Sequence, residues 1–226
     1  MARVREIVTQ IADGLSTERQ KATALHDYVR DAIKFGFNRY FDLSSPERTL
    51  ALGVAHCNPK TELMMALFRE AGLEAYPHFV VLPNEVVRGV VSPDRYWLVP
   101  RGLSHSYTEV RVEGTWCSID SYLLDSRLFK AARAKLAEEG LTVGYATHVQ
   151  STNQWDGKSH AFSVFLREMM LEDHGRIESF ETYYQSDRYR NKAFGMRLNT
   201  IFRFLGKSLE AQSRLYLDKL REHYMI

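Results

Sequence analysis

Cys57 stands where a thiol could act as a nucleophile. Asn58 and Pro59 follow it, and a proline at a first-turn position is typical of a helix start. The first turn of a helix offers unsatisfied N–H groups and a partial positive charge, which favour a thiolate and can bind an oxyanion. We therefore expect the pKa of this thiol to lie below its ordinary value. The plainer alternative for one cysteine is a small buried hydrophobic residue.

His105 and Asp120 fall on two segments that the sequence predicts as neighbouring strands. Residues 105–112 and 115–119 are strand-like, and Glu113-Gly114 between them is typical of a hairpin turn. His105 lies nine positions before Gly114 and Asp120 six after it, so their side chains should be within reach across the strand pair. With a thiol on a nearby helix, they would form a nucleophile, a base and a group that orients the base. Taken singly, a strand histidine is usually a surface or core residue, and the aspartate is usually a turn former.

The elements that must position these residues indicate an α+β protein. Helices precede a set of antiparallel strands, which does not fit an alternating parallel sheet. The predicted helices span about residues 3–32 with a break near Gly14, 60–71, 128–139 and 192–224, and the strands span 75–82, 105–112 and 115–119. We expect a core with N-terminal helices over residues 1–150. A helical C-terminal extension, helical from Ala161 onward and packed on the core, would cover 151–226.

Several strings resemble the transglutaminase-like superfamily, a papain-related fold with the chain order Cys, His, Asp. Residues 53–57 are similar to the family sequence that leads into the helix of the nucleophile. Residues 24–33 are similar to the helix that opens the family core. Three further strings match family patterns in the right order: residues 66–75 (ALFREAGLEA), 105–110 (HSYTEV) and 116–120 (WCSID). The resemblance covers roughly residues 20–125.

The resemblance implies a catalytic triad. Cys57 would be the nucleophile, His105 the general base and acid, and Asp120 the group that orients the imidazole. It implies no metal and no cofactor. Where the family often has Trp two positions after the histidine and Pro after the aspartate, this chain has Tyr107 and Ser121.

The implied reaction is cysteine-dependent acyl transfer through a thioester, from an amide or ester substrate. Its partners would be a small-molecule or peptide acyl donor and, for a transglutaminase-like reaction, an amine acceptor. Three alternatives stay open: a thiol peptidase or amidase that hydrolyses the same intermediate, a binding protein that kept the fold and lost activity, and a helical interaction protein that binds through its last helix.

Four residues are candidates for substrate contact. His56 precedes the nucleophile, with a solvated loop residue as its plainer interpretation. Tyr107 shares a strand face with His105. Tyr96 and Trp97 lie in the loop before His105, and such loops often carry specificity. No side-chain donor to an oxyanion can be assigned; Asn38, Tyr40 and His56 are candidates.

The composition excludes several classes of protein. Of 226 residues, 45% are hydrophobic and 26% charged, with a net charge of +2 and no block of Lys or Arg, which argues against a nucleic-acid binder. No apolar run is long enough to span a membrane, and the N-terminus does not read as a signal peptide, so we expect a cytoplasmic protein. Cys57 and Cys117 are too few for a disulfide framework, and the eight histidines have no metal-ligand spacing. An apolar stripe on the last helix predicts packing against the domain, with a homo-oligomer contact as the alternative.

Overall fold

The computed structural model describes residues 2–223. Its α-helices are α1 (Ala2–Ala12), α2 (Glu18–Ala32), α3 (Pro46–Leu52), α4 (Cys57–Glu70), α5 (Ser126–Glu139), α6 (Phe180–Gln185) and α7 (Leu198–His223). Its strands are β1 (Lys34–Phe35), β2 (Val54–Ala55), β3 (Ala75–Pro83), β4 (Gly102–Val112), β5 (Thr115–Ile119), β6 (Val143–Gly144), β7 (Thr147–His148), β8 (Glu172–Arg176), β9 (Lys192–Ala193) and β10 (Met196–Arg197). Helices with an antiparallel sheet confirm the α+β class.

The N-terminal helices break where the sequence predicts. Gly14 lies between α1 and α2 with φ +78°, in the left-handed region that glycine adopts without strain. Thr17 then caps α2, because its side chain accepts the N–H of Gln20 while the Gln20 side chain reaches back to the cap.

The central helix α4 begins at the candidate nucleophile. Short β2 leads into it, and Ala71 and Gly72 end it, the latter with φ +82°. Four of its apolar side chains are fully buried and fix the helix in the core: Leu63, Met64, Leu67 and Phe68. Burial of this face stabilises the helix and holds its first turn in place.

The main sheet is antiparallel with the strand order β5-β4-β3-β8. Glu113 and Gly114 join β4 to β5 with φ of 49° and 84°, as a two-residue hairpin with positive φ at both central positions requires. The pairing of Thr108 with Ile119 places Asp120 directly after the last paired residue of β5. The predicted hairpin is confirmed.

The C-terminal part differs from the helical expectation. The described chain has no α-helix between Ala161 and α6, and β8 in that stretch pairs with β3 in the main sheet. The last helix begins at Leu198 and not at Lys192, because a β-hairpin with Phe194 and Gly195 at positive φ comes first. Backbone pairing, of β8 with β3 and of β9 with β10, outweighs the local helical pattern in these two stretches. Residue 224 of the predicted helix lies outside the described residues, and the division at residue 150 stays a prediction.

The leucines of the stripe on α7 are fully buried only near the C-terminal end of the helix. Leu217 and Leu220 pack into the core, whereas Leu205 is 58% exposed. Within residues 2–223, no helix combines the length and apolar character that crossing a membrane needs.

Candidate active site

Cys57 is the first residue of α4, with His56 in extended conformation as the N-cap. The thiol is half-buried. Burial raises its pKa, and the negative charges of Asp42 and Asp120 raise it further, while the backbone N–H groups of Cys57 and Asn58 act in the opposite direction. The expectation of a lowered pKa is therefore wrong, because desolvation outweighs the helix start.

His105 and Asp120 form a buried hydrogen-bonded pair. His105 Nε2 lies 3.2 Å from Asp120 Oδ2, and both side chains are almost fully shielded from solvent. The imidazole also packs edge-on against Phe165, with ring centroids 5.2 Å apart. Since the carboxylate occupies Nε2, Nδ1 is the ring nitrogen that can act on a thiol.

The second oxygen of Asp120 is held by the segment between β7 and β8. Oδ1 accepts the backbone N–H of Ser163, the Ser163 hydroxyl at 3.2 Å and the N–H of Val164 at 3.4 Å. These donors fix the position and orientation of the carboxylate. Sequence reasoning missed Ser163, because nothing in its polar, irregular surroundings signals a contact with Asp120.

Hydrogen bonds hold the start of α4 against the strand that carries His105. Ser106, the next residue on β4, donates its hydroxyl to Asn58 Oδ1 at 2.9 Å. Thr61 donates to the Ser106 carbonyl at 3.0 Å. Asp120 acts electrostatically on the Cys57 thiol as well as binding His105. The structure therefore brings the three predicted triad residues to one place.

Two of the candidate side-chain donors to an oxyanion, Asn38 and Tyr40, contact other groups of the protein. Asn38 donates its amide to the Val54 carbonyl at 3.0 Å and to the Ser44 hydroxyl at 3.3 Å. Tyr40 is partly exposed beneath the Arg48 guanidinium, 4.0 Å from the ring centroid. The backbone N–H groups at the start of α4 are the better-placed donors, since they already act on the thiol.

The other sequence candidates lie in different environments. Tyr107 is buried and stacks on His78 with ring centroids 4.5 Å apart. Tyr96 is half-buried, and Trp97 is 72% exposed, 6.1 Å from the Phe194 ring. Their role in substrate binding stays a prediction.

His56 does not face solvent. Its Nε2 lies 2.9 Å from Asp42 Oδ1, and both side chains are buried. Asp42 was missed from the sequence because it stands in a short turn with no motif around it. Among the described residues, no group of three or more His, Cys, Asp or Glu side chains is arranged to hold a metal ion.

A family model described as the transglutaminase-like superfamily matches residues 5–121, just over half of the chain. The chain belongs to this superfamily. The matched range includes Cys57, His105 and Asp120 and ends before Ser163.

Two solved structures resemble part of this superfamily member. A candidate cysteine protease from Cytophaga hutchinsonii is 15% identical with a TM-score of 0.42, over 54% of this chain and 38% of that one. A TGase is 20% identical with a TM-score of 0.35, over 53% of this chain and 29% of that one. The chain thus spans well under half of either structure. A comparison with curated proteins gave no match.

Proposed function

We propose that this transglutaminase-like protein catalyses cysteine-dependent acyl transfer through a thioester, from an amide or ester donor. The observation that carries the proposal is the buried His105–Asp120 pair, whose carboxylate acts electrostatically on a thiol at a helix start. Nucleophile, base and orienting group are the parts that covalent acyl transfer needs.

The first half of the reaction forms the thioester. Because burial keeps the Cys57 thiol protonated at rest, His105 Nδ1 takes its proton as the sulfur attacks the carbonyl carbon. The carbonyl electrons move to the oxygen, where the N–H groups of Cys57 and Asn58 can donate to the oxyanion. The intermediate collapses, and the amine or alcohol leaves with the proton from His105.

The second half regenerates the thiol. His105 takes a proton from an amine or a water molecule as it attacks the thioester, and the proton then returns to the departing Cys57 sulfur. Asp120 accepts the Nε2–H throughout and stabilises the imidazolium without taking the proton. An amine gives a new amide, and water gives a carboxylic acid.

The experiment is a burst assay with p-nitrophenyl acetate as the acyl donor. We expect about one equivalent of p-nitrophenolate per chain and an acetyl group on Cys57 by mass spectrometry. Cys57→Ala should abolish both, whereas Cys117→Ala should keep them, since Cys117 is a buried strand residue. A burst that survives Cys57→Ala would overturn the proposal.

A second arm adds butylamine and separates the two acceptors. Formation of N-butylacetamide faster than in the Cys57→Ala control supports transfer to amines. Acetate as the sole enzymatic product would show that the intermediate is hydrolysed. The proposed function would then be hydrolysis and not acyl transfer.

We also propose a cytoplasmic location. Its support is that both cysteines are free thiols, which a reducing compartment preserves. Cell fractionation with an antibody to the chain tests this, and recovery outside the cytoplasmic fraction would contradict it.

A further inference from the structure

Asp42 gathers four side-chain donors around one buried carboxylate. Its side chain has no exposed surface. Oδ1 lies 2.9 Å from His56 Nε2 and accepts Asn58 Nδ2 at 2.7 Å; Oδ2 accepts the Tyr189 hydroxyl and Asn191 Nδ2 at 3.2 Å. An aspartate is rarely buried to this extent unless it is paired, and these four side chains supply the pairing.

Two of the four donors flank the candidate nucleophile. His56 precedes Cys57 and Asn58 follows it. His56 Nδ1 is buried without a hydrogen-bond partner among the described residues, so the bond to Asp42 is the one that orients this ring. The ring otherwise lies flat on Phe41, with centroids 4.4 Å apart.

The backbone beside Asp42 is held in an unfavourable conformation. Phe41 has φ +48°, in the left-handed region that residues with a side chain rarely adopt. The Asn199 side chain on α7 accepts the Asp42 N–H at 3.1 Å. Such conformations persist where surrounding contacts fix them, and they cluster at functional sites.

The other two donors come from beyond the residues that match the family. Asn191 binds Asp42 and also pairs with Ser104, the neighbour of His105: its amide donates to the Ser104 carbonyl at 3.2 Å, and its Oδ1 accepts the Ser104 N–H at 2.9 Å. The segment 189–191 therefore joins the start of α4 to the strand of the candidate base.

We propose that Asp42 is a positioning residue for Cys57, and that the segment 189–191 completes the active site by holding Asp42. The inference rests on the proposed function for its catalytic meaning. In structural terms, the Asp42 carboxylate orients the side chains of His56 and Asn58, the two neighbours of Cys57.

The charge of Asp42 gives the inference a readout of its own. The ionisable groups around Cys57 are Asp42 with His56, Asp120 with His105, and the phenols of Tyr122 and Tyr184; Glu62 lies near Asp42. Burial and the Asp42 charge both raise the pKa of the thiol. Removing that charge should therefore lower the pKa while it loosens the geometry.

The test compares Asp42→Asn with Asp13→Asn, which removes an exposed carboxylate that accepts the N–H of the adjacent Gly14. Site-resolved alkylation by iodoacetamide follows Cys57 against pH, and near-UV circular dichroism verifies that each variant is folded. We expect Asp42→Asn to shift the Cys57 inflection to lower pH and to slow turnover of p-nitrophenyl acetate by roughly 10²-fold, the scale of a 1 Å misplacement. Asp13→Asn should change neither.

Nitrogen-15 NMR of the imidazoles gives a readout that does not depend on activity. The wild-type His56 should carry its proton fixed on Nε2, facing the carboxylate, and Asp42→Asn should lose this fixed state. An unchanged His56 spectrum with an unmoved alkylation inflection would overturn the inference, even where the burst assay succeeds.

Tyr189→Phe keeps the Asp42 carboxylate and removes one of its hydrogen-bond donors. It tests the role of the segment 189–191, and it remains available if Asp42→Asn does not fold. We expect about a tenfold loss of turnover, with an altered His56 spectrum. Tyr76→Phe, which removes an exposed hydroxyl bound to Glu74, is the matched control. Wild-type turnover and an unchanged spectrum in Tyr189→Phe would contradict the role of the segment. Loss of the burst assay's dependence on Cys57 would instead refute the proposed function.

Discussion

Arg221, near the end of α7, anchors the last helix to the core. It is buried, and Nη2 donates to Asp125 Oδ2 at 2.6 Å and to the Phe35 carbonyl at 2.7 Å, while Nε donates to Asp125 Oδ1 at 3.0 Å. Asp125 in turn caps α5 through the N–H of Leu128 at 3.1 Å. One ion pair therefore ties together β1, α5 and α7.

Replacing Arg221 by Met keeps most of the side-chain volume and removes the guanidinium. Asp125 then stays buried with only backbone N–H donors, and the Phe35 carbonyl loses its side-chain donor. Breaking a buried ion pair from one side costs about 3–5 kcal/mol of the free energy of unfolding. At roughly 2–4 °C per kcal/mol for a chain of this size, the melting temperature should fall by about 6–20 °C.

The loss should depend on pH. Burial alone would raise the pKa of Asp125, but the hydrogen bond and charge of Arg221, together with the N–H of Leu128 and the charge of Lys60, lower it. A carboxylate with a lowered folded-state pKa stabilises the fold above its unfolded pKa of about 3.9, and this stability is lost as the pH falls through the folded-state value. The difference between wild type and Arg221→Met should therefore shrink below about pH 4.

Thermal unfolding of four proteins checks this: wild type, Arg221→Met, Asp125→Asn and the double variant. We expect the double variant to be more stable than Arg221→Met, since it no longer buries an unpaired charge. Arg214→Met, an exposed position on the same helix, is the control. A shift of Arg221→Met no larger than that of the control, or one that stays constant into acid, would refute the reasoning.

Three further predictions follow from single contacts. Asp120→Asn should slow acylation of Cys57 by on the order of 10²–10⁴-fold, because the acceptor that fixes the His105 tautomer is lost. Its near-UV circular dichroism should be unchanged. Stopped-flow kinetics measure the acylation rate, and a wild-type rate would contradict the prediction. Burial and Asp42 raise the pKa of Glu62 to about 7, so the folded state binds a proton that the unfolded state lacks, and stability falls as the pH rises from about 4.5 through 7. Above pH 7, the free energy of unfolding of Glu62→Gln should exceed that of wild type by about 1–3 kcal/mol, and near pH 4 the two should be close. Urea unfolding at both pH values measures this, and a wild type more stable than Glu62→Gln above pH 7 would contradict it. Gly206→Ala should lower the melting temperature despite the better helix propensity of alanine, since its Cβ would lie 2.7 Å from the Arg39 backbone; a rise in melting temperature would contradict this.

The family core could be predicted because its signals are local. Gly14, the Asn58-Pro59 helix start and the Glu113-Gly114 turn each fix one backbone feature within a few residues, and the structure has all three. The same turn determines that His105 and Asp120 meet across the hairpin. Periodicity and turn chemistry were therefore sufficient for the elements that carry the triad.

The C-terminal part could not be predicted because its contacts are long-range. The residues of β8 have no strand pattern of their own and become a strand by pairing with β3. Asp42 and Tyr189 are 147 positions apart in the chain, and nothing local in either string indicates their contact. The raised thiol pKa has the same origin, since burial is a property of the assembled fold.

The central claim is that His105 activates Cys57 as a nucleophile. The most direct measurement is the rate at which p-nitrophenyl acetate acetylates Cys57 at neutral pH, resolved by peptide mass spectrometry, in wild type and in His105→Ala. We predict stoichiometric acetylation of Cys57 in the wild type and a rate at least about 10²-fold lower in His105→Ala, since a thiol with a raised pKa needs the base. Equal rates in the two proteins, or acetylation of Cys117 in place of Cys57, would contradict the claim.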